Sequence, residues 1–486
     1  MEKSLRGLSI DRDQILYWAF ALLIVVSSFS AVLLEEVAVL AIPIGVIFLA
    51  TIINNYRVVY LLFFFLLPFS IEYSFPGGFG TDLPSEPLML CLSLLFILLF
   101  VNRFSTTSVK IIQHPISIVV ILHLLWLFFI SLFSVDHVVS YKYTLARSWY
   151  ILPFYFLSFY MIDAKNVYKS RNIFKLLWIG LAIAITYVMF RHASGGFAFK
   201  AINESVKPIF RNHVNYAAMM VLFLPFLVYL RSGSKNKLFY TISILYLILA
   251  IYLTYTRAAH LCVFIGIAVF FVVKYKLSKY ALGLAAVLII FIFTFLRSDN
   301  TYMYYEPDFE KTITHYKFDN LLEATMKMQD ISTVERFYRW IAGVHMINEK
   351  PITGFGPGTF YPHYRHYTVT SYKTYVSDNP EKSGMHNNYL LSFVEQGVIG
   401  FVIMLFLCLF PIIYGEIVYH RLPVGWQKNL VMACVTSVII CSCLLLMNEL
   451  LESDKIGPLF FIALSIIAIM DPGVKKRFVL DKWLMR

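Results

Sequence analysis

The sequence predicts an all-α integral membrane protein of about fourteen helical spans. Its 486 residues are 59% hydrophobic and only 14% charged, whereas a soluble domain carries roughly a quarter charged residues. Apolar runs of about 18 or more residues recur along the whole chain, and a bilayer core requires about 20. Backbone groups in lipid must find partners within their own segment, so we expect these runs to be helices.

The predicted spans are separated by short polar loops. They lie at 15–34, 37–53, 57–72, 87–102, 115–134, 149–163, 172–190, 214–230, 238–255, 259–273, 280–296, 396–414, 429–447 and 456–470. Boundaries drawn from one sequence shift by several residues and 37–72 can be divided differently, so the expected number is about 12 to 14. All six cysteines fall inside apolar runs, which predicts small core residues rather than disulfides.

The distribution of basic residues predicts the orientation. The N-terminal segment, alternate loops and the tail carry about 23 Lys and Arg, and the short loops of the other side carry about 8; basic residues mark the cytoplasmic side. We therefore predict that both termini are cytoplasmic. Because the basic residues lie in short loops between spans, the net charge of +12 does not indicate a nucleic-acid partner.

One segment between spans is much longer than the others. Residues 297–387 form an external loop of about 90 residues, and loops of this length are usually functional or separately folded. We predict transmembrane helices at 1–296, a loop subdomain at 297–387, and C-terminal transmembrane helices with a cytoplasmic tail at 388–486. No internal repeat is visible, which weakens a transporter interpretation.

Two arginines lie near the predicted external ends of spans. Arg257 separates two spans, and Arg211 lies near the end of a second external loop at 191–213. Charge close to a membrane is costly and needs a reason. An arginine that reaches lipid headgroups and an arginine that binds an anion both fit these positions.

The long loop contains three further patterns. Arg336 and Trp340 are four residues apart, which places them on one face of a predicted helix. The turn Gly354-Phe-Gly-Pro-Gly358 permits close backbone approach, and no Lys-Ser or Lys-Thr follows it as a P-loop requires. His386-Asn387 opens the next apolar element, where a histidine can act as a base near neutrality or simply begin a helix.

Acidic residues occur on the short loop between the last two spans. These are Glu449, Glu452 and Asp454. They are suited to orienting a catalytic group, but solvation is the simpler interpretation and the one we expect.

Together these motifs resemble the O-antigen ligase and polymerase superfamily of bacterial membrane glycosyltransferases. The resemblance is densest over 332–400, where His386-Asn387 is followed by nine residues and Gly397-Val-Ile-Gly400. Glu395 lies where the family often has an acid, and Thr256-Arg257 resembles its Ser-Arg motif. The chain departs from the family in its larger predicted number of spans and in the Ala-Ala-His sequence after Arg257.

The resemblance implies a GT-C-like membrane fold with a large helical periplasmic loop and an active site on the periplasmic side of the bacterial inner membrane. The implied donor is a glycan on undecaprenyl diphosphate, and the acceptor is lipid A-core or a growing glycan, among membrane lipids. Transfer to lipid A-core, the O-antigen ligase reaction of lipopolysaccharide biosynthesis, is our first expectation. A polymerase of O-antigen or capsular polysaccharide is the alternative, and a flippase or transporter of lipid-linked glycan is the alternative from another class.

The resemblance also implies roles for individual residues. His386 is the expected base, and Arg257 and Arg336 are expected to bind the diphosphate, with Arg211 as a third candidate. The supporting candidates are Asn387, Trp340 and Glu395. We expect no cofactor and no metal, because the diphosphate linkage already activates the donor.

Overall fold

The computed structural model describes residues 21–30, 41–74, 80–102, 106–298, 331–369, 377 and 384–473. The chain forms two compact units, Met1–Phe63 and Phe64–Arg486. Segments 1–20 and 474–486 lie outside the described residues, so the cytoplasmic position of both termini stays a prediction.

The described part of the chain is almost entirely helical up to the long loop. Its helices are α1 (Ala21–Ser30), α2 (Ala41–Leu66), α3 (Ser85–Asn102), α4 (Thr106–Ile112), α5 (Pro115–Ser131), α6 (His137–Ile151), α7 (Ser158–Met161), α8 (Val167–Ser194), α9 (Ile202–Val206), α10 (His213–Ser232), α11 (Lys237–Tyr252), α12 (Arg257–Lys274) and α13 (Ser278–Arg297). In the first unit, Asn55 has non-helical φ and ψ angles and interrupts α2.

Helices also make up most of the described residues of the long loop and of the C-terminal region. These are α14 (Ile331–Glu349), α15 (Phe360–His363), α16 (Asn388–Arg421), α17 (Trp426–Leu444) and α18 (Gly457–Met470). Short 3-10 turns occur at Leu67–Phe69, Phe199–Ala201 and Tyr364–Tyr367. A π-helical segment, Leu152–Leu157, joins α6 to α7.

The predicted fold class is confirmed. Six of the described helices are long and apolar enough to cross a membrane, and six more are shorter apolar helices. All six cysteines are free, and four of them are buried. The fold is therefore that of an all-α integral membrane protein.

A small β-hairpin follows the helix that ends at Leu66. Strands β1 (Ile71–Ser74) and β2 (Gly80–Leu83) pair antiparallel, with Ile71 opposite Leu83. The predicted span 57–72 was therefore too long. Its end is fixed by Pro68, which lies in the 3-10 turn and has no N–H group with which to continue a helix.

Helix α6 is a second difference from the predicted spans, because residues 137–148 were assigned to a loop. Asp136 caps the helix by accepting a hydrogen bond from the Val139 amide at 3.1 Å. The polar residues Ser140 and Arg147 are buried. A polar helix is stable here because protein groups, rather than lipid, surround these side chains.

The last helices form the centre of the second unit. Every residue of α18 is buried, as expected for a uniformly apolar helix. Helix α10 runs antiparallel to α17, since Asn429 Nδ2 donates to Ser232 Oγ at 3.2 Å and Ser437 Oγ donates to the Leu222 carbonyl at 3.0 Å. The start of α10 therefore lies at the end of α17.

Candidate active site

The predicted site residues lie around segment 445–456, which connects α17 to α18 at an end of the bundle that we call the loop end. Helix α16 reaches this end because the Asn388 amide donates to the Leu445 carbonyl at 2.9 Å. Helix α12 also reaches it, because Gly266 faces Ile440 on α17. Because Cys262 also interacts with Cys443, α12 runs antiparallel to α17, and its first residue, Arg257, lies towards the loop end.

The glycine turn 354–358 is bonded to the backbone of α16. The Phe355 amide donates to the Val394 carbonyl at 3.0 Å, and the Gly356 amide donates to the Glu395 carbonyl at 2.8 Å. These carbonyls are available because Gly397, with φ 68°, breaks the helix. A side chain at Gly397 would also clash with the backbone of Ile352, so the turn requires glycine at this position.

The Glu395 carboxyl group completes this connection. Its Oε2 accepts the Gly358 amide at 2.9 Å and its Oε1 accepts the Phe360 amide at 3.0 Å. Glu395 is only 2% exposed. Glu395, a predicted supporting residue, is therefore bonded to the glycine turn, and both of these contacts hold the backbone of that turn in place.

The opposite side of the glycine turn contacts the connection between α5 and α6. The Val135 amide donates to the Phe355 carbonyl at 2.9 Å, and Ser140 Oγ donates to the Pro357 carbonyl at 2.8 Å. The turn is thus held on both sides by backbone hydrogen bonds, which leaves it no role as an open phosphate cradle.

Helix α14 holds the segment that precedes α16. Arg339 Nη1 donates to the Gly384 carbonyl at 3.0 Å, and Trp340 Nε1 donates to the Met385 carbonyl at 3.0 Å. Arg339 also pairs with Glu335 at 3.3 Å. Trp340, a predicted supporting residue, therefore acts on the backbone next to His386, and Arg339 shares this position although the sequence did not single it out.

His386 itself is half-buried and has a left-handed backbone, with φ 58°. Burial, together with the positive charges of Arg339 and Arg336, lowers the pKa of its imidazole to about 3. The imidazole is therefore neutral at pH 7. The neighbouring Asn387 caps α16, since its Oδ1 accepts the amides of Tyr389 and Leu390 at 3.0 Å each.

The three predicted diphosphate ligands lie at the loop end but differ in their surroundings. Arg336 Nε donates to the Met447 carbonyl at 3.3 Å, and Arg336 also acts electrostatically on His386. Arg257 is half-buried at the first position of α12. Arg211 forms an exposed ion pair with Glu72 of β1 at 2.8 Å. The structure thus brings Arg336 close to His386, whereas Arg211 is engaged elsewhere.

The acidic loop differs from the expected solvated one. Glu449 Oε1 accepts the His386 amide at 2.8 Å. Glu452 accepts hydrogen bonds from Asn388 Nδ2 at 3.0 Å and from Arg147 Nη2 at 2.5 Å, and Asp454 is buried. The sequence feature that could have indicated this burial is the presence of several acidic residues on a short loop between two apolar helices.

The electrostatics of this loop result from burial and neighbouring charge. Burial first, and then the Glu452 carboxylate, raise the pKa of Glu449 to about 7. Burial alone would raise the pKa of Glu452. The charge of Arg147 and the hydrogen bonds from Asn388 and Tyr143 together lower this pKa by more than burial raises it, so that it lies below its ordinary value. Near neutrality Glu452 is therefore ionised, and Glu449 is close to its titration point.

Across the described ranges, no group of three or more His, Cys, Asp or Glu side chains is arranged to hold a metal ion.

Comparison with known proteins identifies a region that carries part of the candidate site. Residues 242–405 match the O-antigen ligase family. The predicted resemblance is confirmed. The match runs from α11 into α16 and includes Arg257, Arg336 and His386, whereas Arg211 and Glu449 lie outside it.

A curated relative has also been found in Haemophilus influenzae. It is described as an uncharacterized protein and is 27% identical over 190 residues, which are 38% of this chain and 45% of the relative. The alignment thus spans less than half of the relative. The family match supports a glycosyltransferase-like role of the ligase or polymerase type.

Proposed function

We propose that the protein transfers a glycan from undecaprenyl diphosphate to a hydroxyl group of an acceptor sugar, on the periplasmic side of the bacterial inner membrane. Our preferred acceptor is lipid A-core, which makes the protein an O-antigen ligase. The O-antigen ligase match supports transfer of a lipid-linked glycan. The observation that carries the proposal is the position of His386 at the start of α16: its amide is bonded to Glu449, and Arg336, bonded to the nearby Met447 carbonyl, lies beside it.

Arg336, which lies beside His386, and Arg257 fit the leaving group of this reaction. When the bond to the anomeric carbon breaks, its electron pair and the negative charge go to the diphosphate oxygen. Cationic groups placed before the reaction stabilise such developing charge, and the planar guanidinium binds phosphate oxygens in pairs. We assign Arg336 and Arg257 to this role, and Arg211 is a weaker candidate because it is paired with Glu72.

His386 is assigned as the base. The acceptor oxygen attacks the anomeric carbon while its proton passes to the imidazole, and direct attack inverts that carbon. A base is most effective when its pKa is near the working pH, and the pKa of His386 is far below neutrality. A diphosphate bound at Arg336 adds negative charge beside the ring, which raises the pKa of the imidazole. Donor binding would thus prepare the base.

The proposal includes no metal and no nucleotide, because the diphosphate ester is already an activated donor. The rival function in the same superfamily is a polymerase of O-antigen or capsular polysaccharide. It uses the same donor chemistry and differs in the acceptor. A flippase would require no base, so the requirement for His386 separates an enzyme from a transporter.

The deciding experiment is the glycan profile of a deletion strain. A ligase predicts bare lipid A-core together with long polymer accumulated on the lipid carrier. Single repeat units on lipid A-core would instead identify a polymerase, and an unchanged profile would contradict both. The second step is transfer in detergent, with lipid-linked glycan extracted from the deletion strain as the donor and purified lipid A-core as the acceptor.

A further inference from the structure

The turn before α16 has an unfavourable backbone conformation at a residue other than glycine. His386 has φ 58°, and a left-handed conformation costs such a residue roughly 1–2 kcal/mol. Such conformations persist when the surrounding structure imposes them, and they are concentrated at functional sites. The contacts of this turn show which group imposes it.

That group is the carboxylate of Glu449. Its Oε1 accepts the His386 amide at 2.8 Å, and the Met385 amide also donates to the carboxylate. The same carboxylate occupies the space that a side chain at position 384 would need, which only Gly384 leaves open. Two consecutive amides thus point at one anionic group, which is an arrangement that favours a carboxylate over an amide side chain.

Glu449 is itself held in place by the loop on which it lies. The Leu450 amide donates to Asn388 Oδ1 at 3.0 Å, and Arg147 Nη1 donates to the Leu451 carbonyl at 2.9 Å. Because Asn388 is the first residue of α16, one asparagine connects the loop to the helix that begins just after His386. The distance between the Glu449 carboxylate and the His386 backbone is therefore fixed from both ends.

We propose that Glu449 is a positioning residue: its carboxylate fixes the left-handed turn at His386 and so directs the imidazole at the acceptor hydroxyl. This inference rests on the proposed function. It adds a residue that lies outside the O-antigen ligase match, which ends at residue 405.

The charges around Glu449 make the role dependent on pH. The charged neighbours that act on it are Glu452 and Glu395, which oppose its ionisation, and Arg339, which favours it; in the donor-free protein the pKa of the adjacent His386 is too low for the imidazole to carry charge in this range. With a pKa of about 7, Glu449 ionises near neutrality, and the ionised form accepts the two amides more strongly. The kcat/KM of transfer, whose pH profile reports the donor-free protein, should therefore fall on the acid side of about pH 7.

The test compares Glu449→Gln, Glu449→Asp and Glu449→Ala with the control Glu349→Gln, which alters an exposed carboxylate on α14. Because glutamine offers one acceptor oxygen for two amides, we expect kcat to fall about 10- to 100-fold, the scale of a misplacement of about 1 Å. KM for the extracted lipid-linked glycan should stay within about twofold, and the acid limb near pH 7 should disappear. If Glu449→Ala does not fold, the isosteric Glu449→Gln decides.

A second measurement does not depend on catalysis. Hydrogen exchange of the Met385 and His386 amides, followed by mass spectrometry, should be faster in Glu449→Ala than in Glu349→Gln. Unchanged exchange, or wild-type kcat and pH profile in Glu449→Gln, would overturn the positioning role alone. If the wild-type protein transfers no glycan at all, the proposed function itself is overturned, so the two failures are distinguishable.

Discussion

Replacement of Glu395 by alanine should weaken the attachment of the glycine turn to α16, because only the backbone hydrogen bonds to Val394 and Glu395 then remain. The substitution removes both acceptors of the Gly358 and Phe360 amides, which lie 2.9 and 3.0 Å from the carboxyl oxygens. An unsatisfied buried donor costs about 1–3 kcal/mol. Since Phe360 is buried and Gly358 is half-buried, we expect a loss of about 2–4 kcal/mol in the free energy of unfolding. Glu395→Gln retains one acceptor and should lose about half as much.

The measurement is thermal unfolding in detergent, combined with hydrogen exchange over residues 354–360. The matched control is Glu349→Ala, which removes an exposed carboxyl group that accepts a hydrogen bond from the Tyr367 hydroxyl. Exposed interactions of this kind contribute little, so the control should melt close to the wild type. The reasoning is refuted if Glu395→Ala melts with the control and its turn amides exchange at the wild-type rate.

The other predictions concern the site directly. His386→Asn should abolish glycan transfer in protein that melts like the wild type; transfer at the wild-type rate would exclude the base assignment. Arg336→Gln should impair transfer more than Arg211→Gln, with Arg257→Gln between them or equal to Arg336→Gln, when initial rates are compared at fixed donor concentration; the reverse order would exclude Arg336 as a diphosphate ligand. Because the pKa of Glu449 is raised from 4.5 to about 7, the folded state binds more protons than the unfolded chain between these values. The contribution of Glu449 to the free energy of unfolding should therefore fall as pH rises through that range, so the free energy of unfolding of the wild type relative to that of Glu449→Gln should fall with pH between about 4.5 and 7.

The spans were predictable because lipid imposes one strong requirement on every segment that crosses it. A backbone without water must form helices, so hydropathy alone located the helices around α10 to α13 and α17 to α18. Hydropathy did not predict helix α6, because its polar side chains form hydrogen bonds with residues that are distant in the sequence. Ser140 is bonded to Pro357 and Arg147 to Glu452, partners that lie hundreds of residues away and leave no mark on the local pattern.

The candidate site was likewise predictable only in part. The position of His386-Asn387 at the opening of an apolar element predicted a histidine at the start of a helix, and Asn387 caps that helix. The sequence did not show that Glu395 bonds the glycine turn, nor that Glu449 holds the His386 backbone. Both relations depend on which loops meet at the loop end of the bundle. Contacts between distant loops cannot be derived from the residue types of one sequence. The catalytic roles stay predictions.

The glycine turn has a consequence for how the chain matures during synthesis. Its partners are Val135, made more than two hundred residues earlier, and the carbonyls of Val394 and Glu395, made about forty residues later. The turn cannot reach its final position until α16 has left the ribosome and entered the bilayer. The turn at His386 forms later still, because its partner Glu449 is synthesised 63 residues after it. Assembly of the candidate site is therefore a late event in biogenesis, and a ribosome stalled anywhere before residue 449 leaves an inserted protein in which the His386 turn lacks its Glu449 partner.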